Sequence, residues 1–229
     1  MEYILGIETS GALCSIAFSS LPEGNIQVKE MVGEKIHGEY ITVLIQELMN
    51  ELDISPHQLL AVAVSSGPGS YTGLRVGMSV AKGFCLALGI PLICLPTLEV
   101  LALGIQNNTE INMNFFCPVL HARANEIYLA VYDTSLSCIL PACALEVQEA
   151  IHLKALEVLD CTTGGPGLPV FMPALTSFPK LIPIENIQLS ARWVVIRALH
   201  YYSIGKFTNL ALSEPFYLKP VRVTTPKIV

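Results

Sequence analysis

Two short stretches of this 229-residue chain gather side chains able to do chemistry. One is "SSGPGSYTGLRVG", Ser65 to Gly77. Gly67 and Gly69 admit backbone conformations closed to other residues, and Pro68 between them stiffens the turn. Ser70 and Thr72 offer hydroxyls, and Arg75 falls on the first turn of an expected helix. A helix N-terminus preceded by glycines favours anions. The other stretch is "ETSG", a polar break after the apolar run "YILGI", with Glu8, Thr9 and Ser10. Glu8, Thr9, Ser10, Gly67, Gly69, Ser70, Thr72 and Arg75 together read as a vestigial anion or nucleotide turn. Arg75 is expected to form an ion pair with Glu8 or to reach a bound anion, the ion pair being favoured.

The same spacings argue against several chemistries. ATP chemistry needs carboxylates to hold Mg²⁺ and to activate the nucleophile. The three aspartates, Asp53, Asp133 and Asp160, all lie away from these turns. "GPGSYTG" lacks P-loop spacing and a following Lys-Ser or Lys-Thr. Ser70 lacks the G-x-S-x-G spacing of a nucleophile elbow, and Ser70 or Thr72 reads more simply as an N-cap. Histidines stand at 37, 57, 121, 152 and 200, with no HxxxH or HExxH, so no metal centre is expected. The seven cysteines include no CxxC and read as reduced, buried thiols. No cofactor is expected.

The elements that must position these residues form a repeating pattern. "YILGI", "ETSGAL" and "CSIAFSS" read as strand, turn and strand, with a third strand at 25–32. A helix follows over 34–55, with Tyr40, Leu44, Leu48 and Leu52 on one stripe. "LLAVAVSS" is a buried strand leading into the glycine turn. The next helix runs to a Gly89 cap, and "PLICLP" and the helix start "TLEVLALGI" follow. The pattern then restarts. "CPVLHARANEIYLAV" lines up with "ILGIETSGALCSIAF", setting His121 opposite Glu8 and Tyr128 opposite Ser15. A second glycine-rich turn spans Gly164 to Gly167, a helix over 189–205 is capped by Ser190, and "EPFYLKP" reads as a closing strand. Such a repeat is the plan of the duplicated actin/sugar-kinase/Hsp70-like fold: α/β, two lobes with mixed sheets flanked by helices. The expected lobes are 1–100 and 101–229, the second ending in a basic tail.

Composition adds an interaction surface. Hydrophobic residues make up 52% and charged residues 14%, so a partner is expected to cover some apolar surface. The longest apolar stretch, 84–96, is too short to span a membrane and is broken by Gly89 and Pro91. Its N-terminus lacks a signal peptide's basic start, and the expected location is cytoplasmic. The net charge of −6 argues against direct nucleic-acid binding, the basic residues of the tail being Lys219, Arg222 and Lys227. Two helices carry surplus apolar or small residues: Tyr40, Ile41, Leu44, Ile45 and Leu48 on one, and Gly73, Gly77, Val80, Ala81 and Phe84 on the other. These ten read as a partner interface.

The quoted blocks, with "HGEYITVLIQEL" and "EPFYLK", occur in the order found in the bacterial TsaB (YeaZ) family, and the chain resembles that family nearly end to end. The family is similar to TsaD and was once grouped with the M22 glycoproteases. The resemblance implies a non-catalytic subunit that supports a TsaD-like partner in forming threonylcarbamoyladenosine in tRNA. It also implies a TsaE-like ATPase in the larger complex, a homodimer when alone, and only indirect contact with tRNA. Glu8 stands where the family commonly has Asp, and His121 replaces the Asp of its "DAR" turn. The alternative is an independent ATP-dependent kinase-like enzyme or an M22-type peptidase, either of which predicts activity or tight nucleotide binding by the isolated chain.

Overall fold

A computed structural model describes residues 1–33, 36–111 and 113–219. The chain begins with an antiparallel meander, β1 (Glu2–Glu8), β2 (Leu13–Leu21) and β3 (Ile26–Val32). Helix α1 (Ile36–Glu51) crosses to β4 (Leu59–Gly67), and α2 (Tyr71–Leu88) crosses to β5 (Leu92–Pro96). The sheet order is β3-β2-β1-β4-β5, with β4 parallel to β1 and β5 parallel to β4. The central strands are buried on both faces, and their sequences are accordingly near-continuous apolar runs rather than alternations.

After α3 (Thr97–Asn108) the plan repeats. A second meander comprises β6 (Phe115–Arg123), β7 (Glu126–Asp133) and β8 (Cys138–Glu146). Short helices α4 (Val147–Ala150) and α5 (Lys154–Val158) lead to β9 (Cys161–Gly164). Then α6 (Leu168–Phe171) precedes β10 (Leu181–Ile184), and α7 (Ala191–Ser203) follows. The second sheet has the order β8-β7-β6-β9-β10, with the same parallel and antiparallel pairings as the first. The duplication expected from the hairpin repeat is thus present strand for strand.

The two lobes exchange their last helices. Helix α3 follows the first sheet in sequence but buries Leu98, Leu101 and Ile105 against Phe116, Leu120 and Ile187 of the second. Helix α7 follows the second sheet but packs Val194, Ala198 and Tyr201 on Ile4, Ala61, Ala63 and Ile93 of the first. Small residues let the backbones approach. A methyl added at Gly6 on β1 would lie 2.5 Å from Val195 Cγ1, and one at Gly104 on α3 would lie 3.1 Å from the Trp193 ring. The remaining faces are covered by α1 and α2 on one sheet and by the short helices on the other.

Some sequence expectations are corrected. "EPFYLKP" is not a strand: residues 214–219 join no sheet, with a bend at Leu218 and Lys219, and Pro220 lies outside the described residues. The cysteines are unbridged, but Cys138 is exposed and Cys94 and Cys143 are only half-buried.

Gly6→Ala is expected to cost about 1–3 kcal/mol through overpacking against Val195. In a chain of this size that lowers the thermal midpoint by roughly 2–4 °C per kcal/mol. The double change Gly6→Ala/Val195→Ala should recover part of the loss, as read by calorimetric unfolding of the two variants.

Candidate functional site

The candidate site lies where the β1–β2 turn, the β4–α2 loop and the β6–β7 turn converge. Ser70 caps α2 by accepting from the Gly73 amide at 3.2 Å, and Gly89 closes the helix in the left-handed conformation at φ 67°. Thr72 is instead the second residue of the helix and is exposed. The loop is bonded to the first turn. The Ser70 amide donates to the Ser10 carbonyl at 2.7 Å, and Thr9 Oγ1 donates to the Gly73 carbonyl at 2.8 Å. The small size of the loop residues is what allows this. A Cβ at Gly69 would lie 2.5 Å from the Ser10 carbonyl oxygen, and Cβ atoms at Gly73 and Gly77 would collide with Thr9. The glycines therefore serve contact between two segments of the same lobe, and the Ser70 amide is spent on that contact.

Glu8 is completely buried behind the joint. Its Oε1 accepts from the Ser10 amide at 2.7 Å and from Ser10 Oγ at 2.5 Å, and its Oε2 accepts from Ser65 Oγ. Burial pushes its pKa upward, against the opposing pull of the serine hydrogen bonds. The expected ion pair with Arg75 does not form. Arg75 lies on the exposed side of α2, stacked 4.1 Å from the Tyr71 ring centroid, and donates Nε to Tyr217 Oη at 3.1 Å. Sequence reasoning had missed Ser65, although it directly precedes the glycine turn.

Between the lobes lies a cavity of about 490 Å³. Ser10, Gly69, Ser70 and Tyr71 line one wall, and His121, Tyr128 and Pro166 line the other. No Asp, Glu, Lys or Arg is among its lining residues. His121 is exposed, with Nε2 2.9 Å from the Ala124 carbonyl oxygen. Among the described residues no three His, Cys, Asp or Glu side chains converge as a metal site requires. The second glycine-rich turn occupies the place after β9 that "SSGPG" occupies after β4. There Gly165, at φ 119°, and Gly167 press against Val119 and Leu120 of β6.

The C-terminal segment straps across this joint. The Thr208 amide donates to the Leu92 carbonyl at 2.8 Å, Lys82 Nζ to the Ser213 carbonyl at 3.0 Å, and the Phe216 amide to the Ser66 carbonyl at 2.7 Å. Tyr217 packs on Tyr71 with ring centroids 5.1 Å apart. Lys219 then reaches Glu126 of the second lobe at 2.9 Å, beside the Arg123–Glu126 pair. The two cations, Lys219 foremost, hold the Glu126 carboxyl down at about 2.

The expected interface residues divide in two. Ile41, Leu44, Ile45 and Leu48 are at most 4% exposed and form the core between α1, α2 and the first sheet. Ala81 is buried with them, and Gly73 and Gly77 face Thr9. These seven point inward, because α1 and α2 each need one full apolar face to cover the sheet. Tyr40 is exposed, while Val80 and Phe84 are half-buried at the edge of the same core. The outward strip of α2 is instead Ser79, Gly83, Leu86 and Ala87, with Leu86 76% exposed and open space beside Gly83. Helical periodicity places these residues opposite Met78, Ala81 and Cys85. Among the described residues no helix is long and apolar enough to cross a membrane.

Paired sheets of identical topology, their first strand–turn–strand units facing each other across a cleft, define a two-lobed α/β protein of the duplicated actin/sugar-kinase/Hsp70 class. The family described as TsaD, tRNA N6-adenosine threonylcarbamoyltransferase, matches residues 31–176. The TsaB of Escherichia coli, a tRNA threonylcarbamoyladenosine biosynthesis protein, is 29% identical over 222 residues, covering 94% of each chain. The Bacillus subtilis TsaB is 32% identical over 131 residues, 57% of this chain and 55% of that protein, so this match spans little more than half of its length. YeaZ from Pseudomonas aeruginosa superposes with a TM-score of 0.80 at 21% identity, covering 95% of this chain and all of that one. The chain belongs to the TsaD-like family and, within it, to the TsaB (YeaZ) branch.

The raised Glu8 pKa has a testable sign. Its stabilising contribution is fully present below the ordinary value of 4.5 and is lost as pH rises through the higher native value. Glu8→Gln keeps an acceptor for Ser10 and removes the ionisation. Thermal unfolding between acid and neutral pH should therefore fall less steeply with pH in Glu8→Gln than in the unmodified chain. Equal slopes would show that Glu8 does not titrate in this range.

Proposed function

We propose that this protein is a non-catalytic subunit that binds and supports a TsaD-like partner in forming threonylcarbamoyladenosine in tRNA. The carrying observation is the state of Glu8. The carboxylate at the first turn is sealed by Ser10 and Ser65 and contributes no oxygen to the interlobe cavity. Phosphoryl transfer depends on positioned carboxylates, and no Asp or Glu lines this cavity. The names of the E. coli and B. subtilis relatives support the pathway. Their similarity supports a TsaD-like subunit as partner, with a TsaE-like ATPase in the larger complex.

The outward strip of α2 supports the docking mode. Ser79, Gly83 and Ala87 are small enough for a second helix to approach closely, and Leu86 offers an exposed apolar anchor. Tyr40 and Val43 of α1, which packs beside α2, are each about two-fifths exposed and offer further apolar surface. The same face fits a second copy of the chain when the partner is missing. The rival reading, an independent nucleotide-dependent enzyme or peptidase, draws no support from the cavity lining.

Reconstitution tests the function: tRNA, TsaC, TsaD and TsaE from one source, with and without this chain, scored for modified adenosine. Modification should need the chain, and the chain alone should produce none. Equal modification without it overturns the assignment. Leu86→Glu should abolish co-elution with the TsaD-like subunit while leaving the thermal midpoint unchanged. Undiminished co-elution of Leu86→Glu removes α2 from the interface. Charge at Leu44 or Leu48 is no test of docking, since it would disrupt the core itself.

A further inference from the structure

A second cavity, of about 450 Å³, opens beyond the carboxyl ends of β4 and β5, where Ser66, Gly67 and Pro96 form its floor. Ligands in open α/β sheets bind outside the carboxyl ends of the parallel strands. Its residues, apart from Pro68 and Phe216, belong to neither the interlobe cavity nor the space beneath the strap.

The cavity contains an unbalanced charge cluster. Glu99, in the first turn of α3, is 6% exposed. It accepts from Arg197 Nε at 2.5 Å and from Tyr201 Oη at 3.0 and 3.2 Å. Lys206 adds a second cation, with Nζ 3.9 Å from the Tyr201 ring centroid, and Arg197 Cζ lies 5.0 Å from the same centroid. Two cations therefore share the Tyr201 ring, while the one carboxylate pairs with Arg197. Among the described residues, neither Lys206 Nζ nor the terminal nitrogens of Arg197 have a further hydrogen-bond or ion-pair partner. Arg197 is held half-buried by Glu99, so its planar fork is pre-oriented, while Lys206 stands exposed at the rim. Leu98, Leu136, Ala142 and Phe216 add apolar surface to the lining.

We propose that this cavity binds a small organic anion, a carboxylate carried on an apolar or aromatic body. The carboxylate oxygens pair with Arg197 and Lys206, restoring charge balance, and the body rests against Leu136 and Phe216. A volume near 450 Å³ falls within the roughly 300–1,000 Å³ of small-molecule sites, which combine apolar walls with a few fixed polar groups. This site is independent of the partner reading, and neither stands or falls with the other.

The test is titration of the isotope-labelled full chain with benzoate, and separately with inorganic phosphate, followed by amide chemical shifts. Benzoate should give saturable shifts at cavity residues such as Leu98, Leu136 and Lys206. Lys206→Gln, at an exposed position, should weaken binding about fivefold, the effect of a rim charge worth about 1 kcal/mol. The paired change Glu99→Gln/Arg197→Gln removes both inner charges together and should abolish binding, with its thermal midpoint measured alongside. Absence of saturable shifts, unchanged affinity in Lys206→Gln, or phosphate binding as tightly as benzoate would each overturn the proposal.

Discussion

The close seating of α7 on β1 across Gly6 is the contact on which the architecture rests. A side chain at that position would press on Val195 and the backbone of Ala191 and strain the seating of α7 on the first sheet. Once α7 is seated, the lobes are no longer independent. Helix α3, the last helix of the first half, covers the second sheet, and α7, the last of the second half, covers the first. Each core is therefore completed by the other half of the chain. The seam is reinforced by polar bonds. Ser15 and Ser190 both donate to Glu30, and the Ala191 amide donates to Ser15 Oγ at 2.8 Å, fixing the start of α7 against β2. Buried polar groups are tolerated when they are satisfied in this way.

A consequence is that the glycine-rich turn works as a joint. In a phosphate-binding loop, backbone amides at a helix N-terminus point at an anion. Here the amides of Ser70 and Gly73 bond to the Ser10 carbonyl and the Ser70 hydroxyl, and the glycines make room for Thr9 and Ser10. The one carboxylate nearby is consumed by serines. The geometry of a nucleotide cleft persists because the strands and helices that build it also build the core. Its chemistry does not follow automatically, because chemistry resides in a few side chains the fold does not require.

The strap adds a second tie between the lobes. It borrows a backbone bond at Ser66, an aromatic contact at Tyr71 and a charge contact at Glu126. Phe216 then stands between two cavities and forms a wall of each. The segment that closes the joint thereby also shapes the space holding Glu99, Arg197 and Lys206.

The sequence by itself determined the parts governed by local rules. Apolar runs marked the buried strands, the repeated hairpin marked the duplication, and Ser70, Gly89 and Ser190 marked helix ends, since each signal lies within a few residues of what it controls. It also showed that "SSGPGSYTGLRVG" lacks the spacings of a catalytic loop. Tertiary structure alone decided which face of α1 and α2 turns inward, because eight apolar positions in Tyr40–Leu52 exceed one stripe and the sequence does not say which of them meets the sheet. It alone decided that Arg75 meets Tyr217 and not Glu8, a contact spanning 142 positions. Glu99 was the exception that left a trace: a lone charge inside "TLEVLALGI" signals a buried partner, but only the crossing of α3 over α7 supplies Arg197 and Tyr201. Long-range contacts of this kind depend on how two halves pack, and no local pattern encodes that.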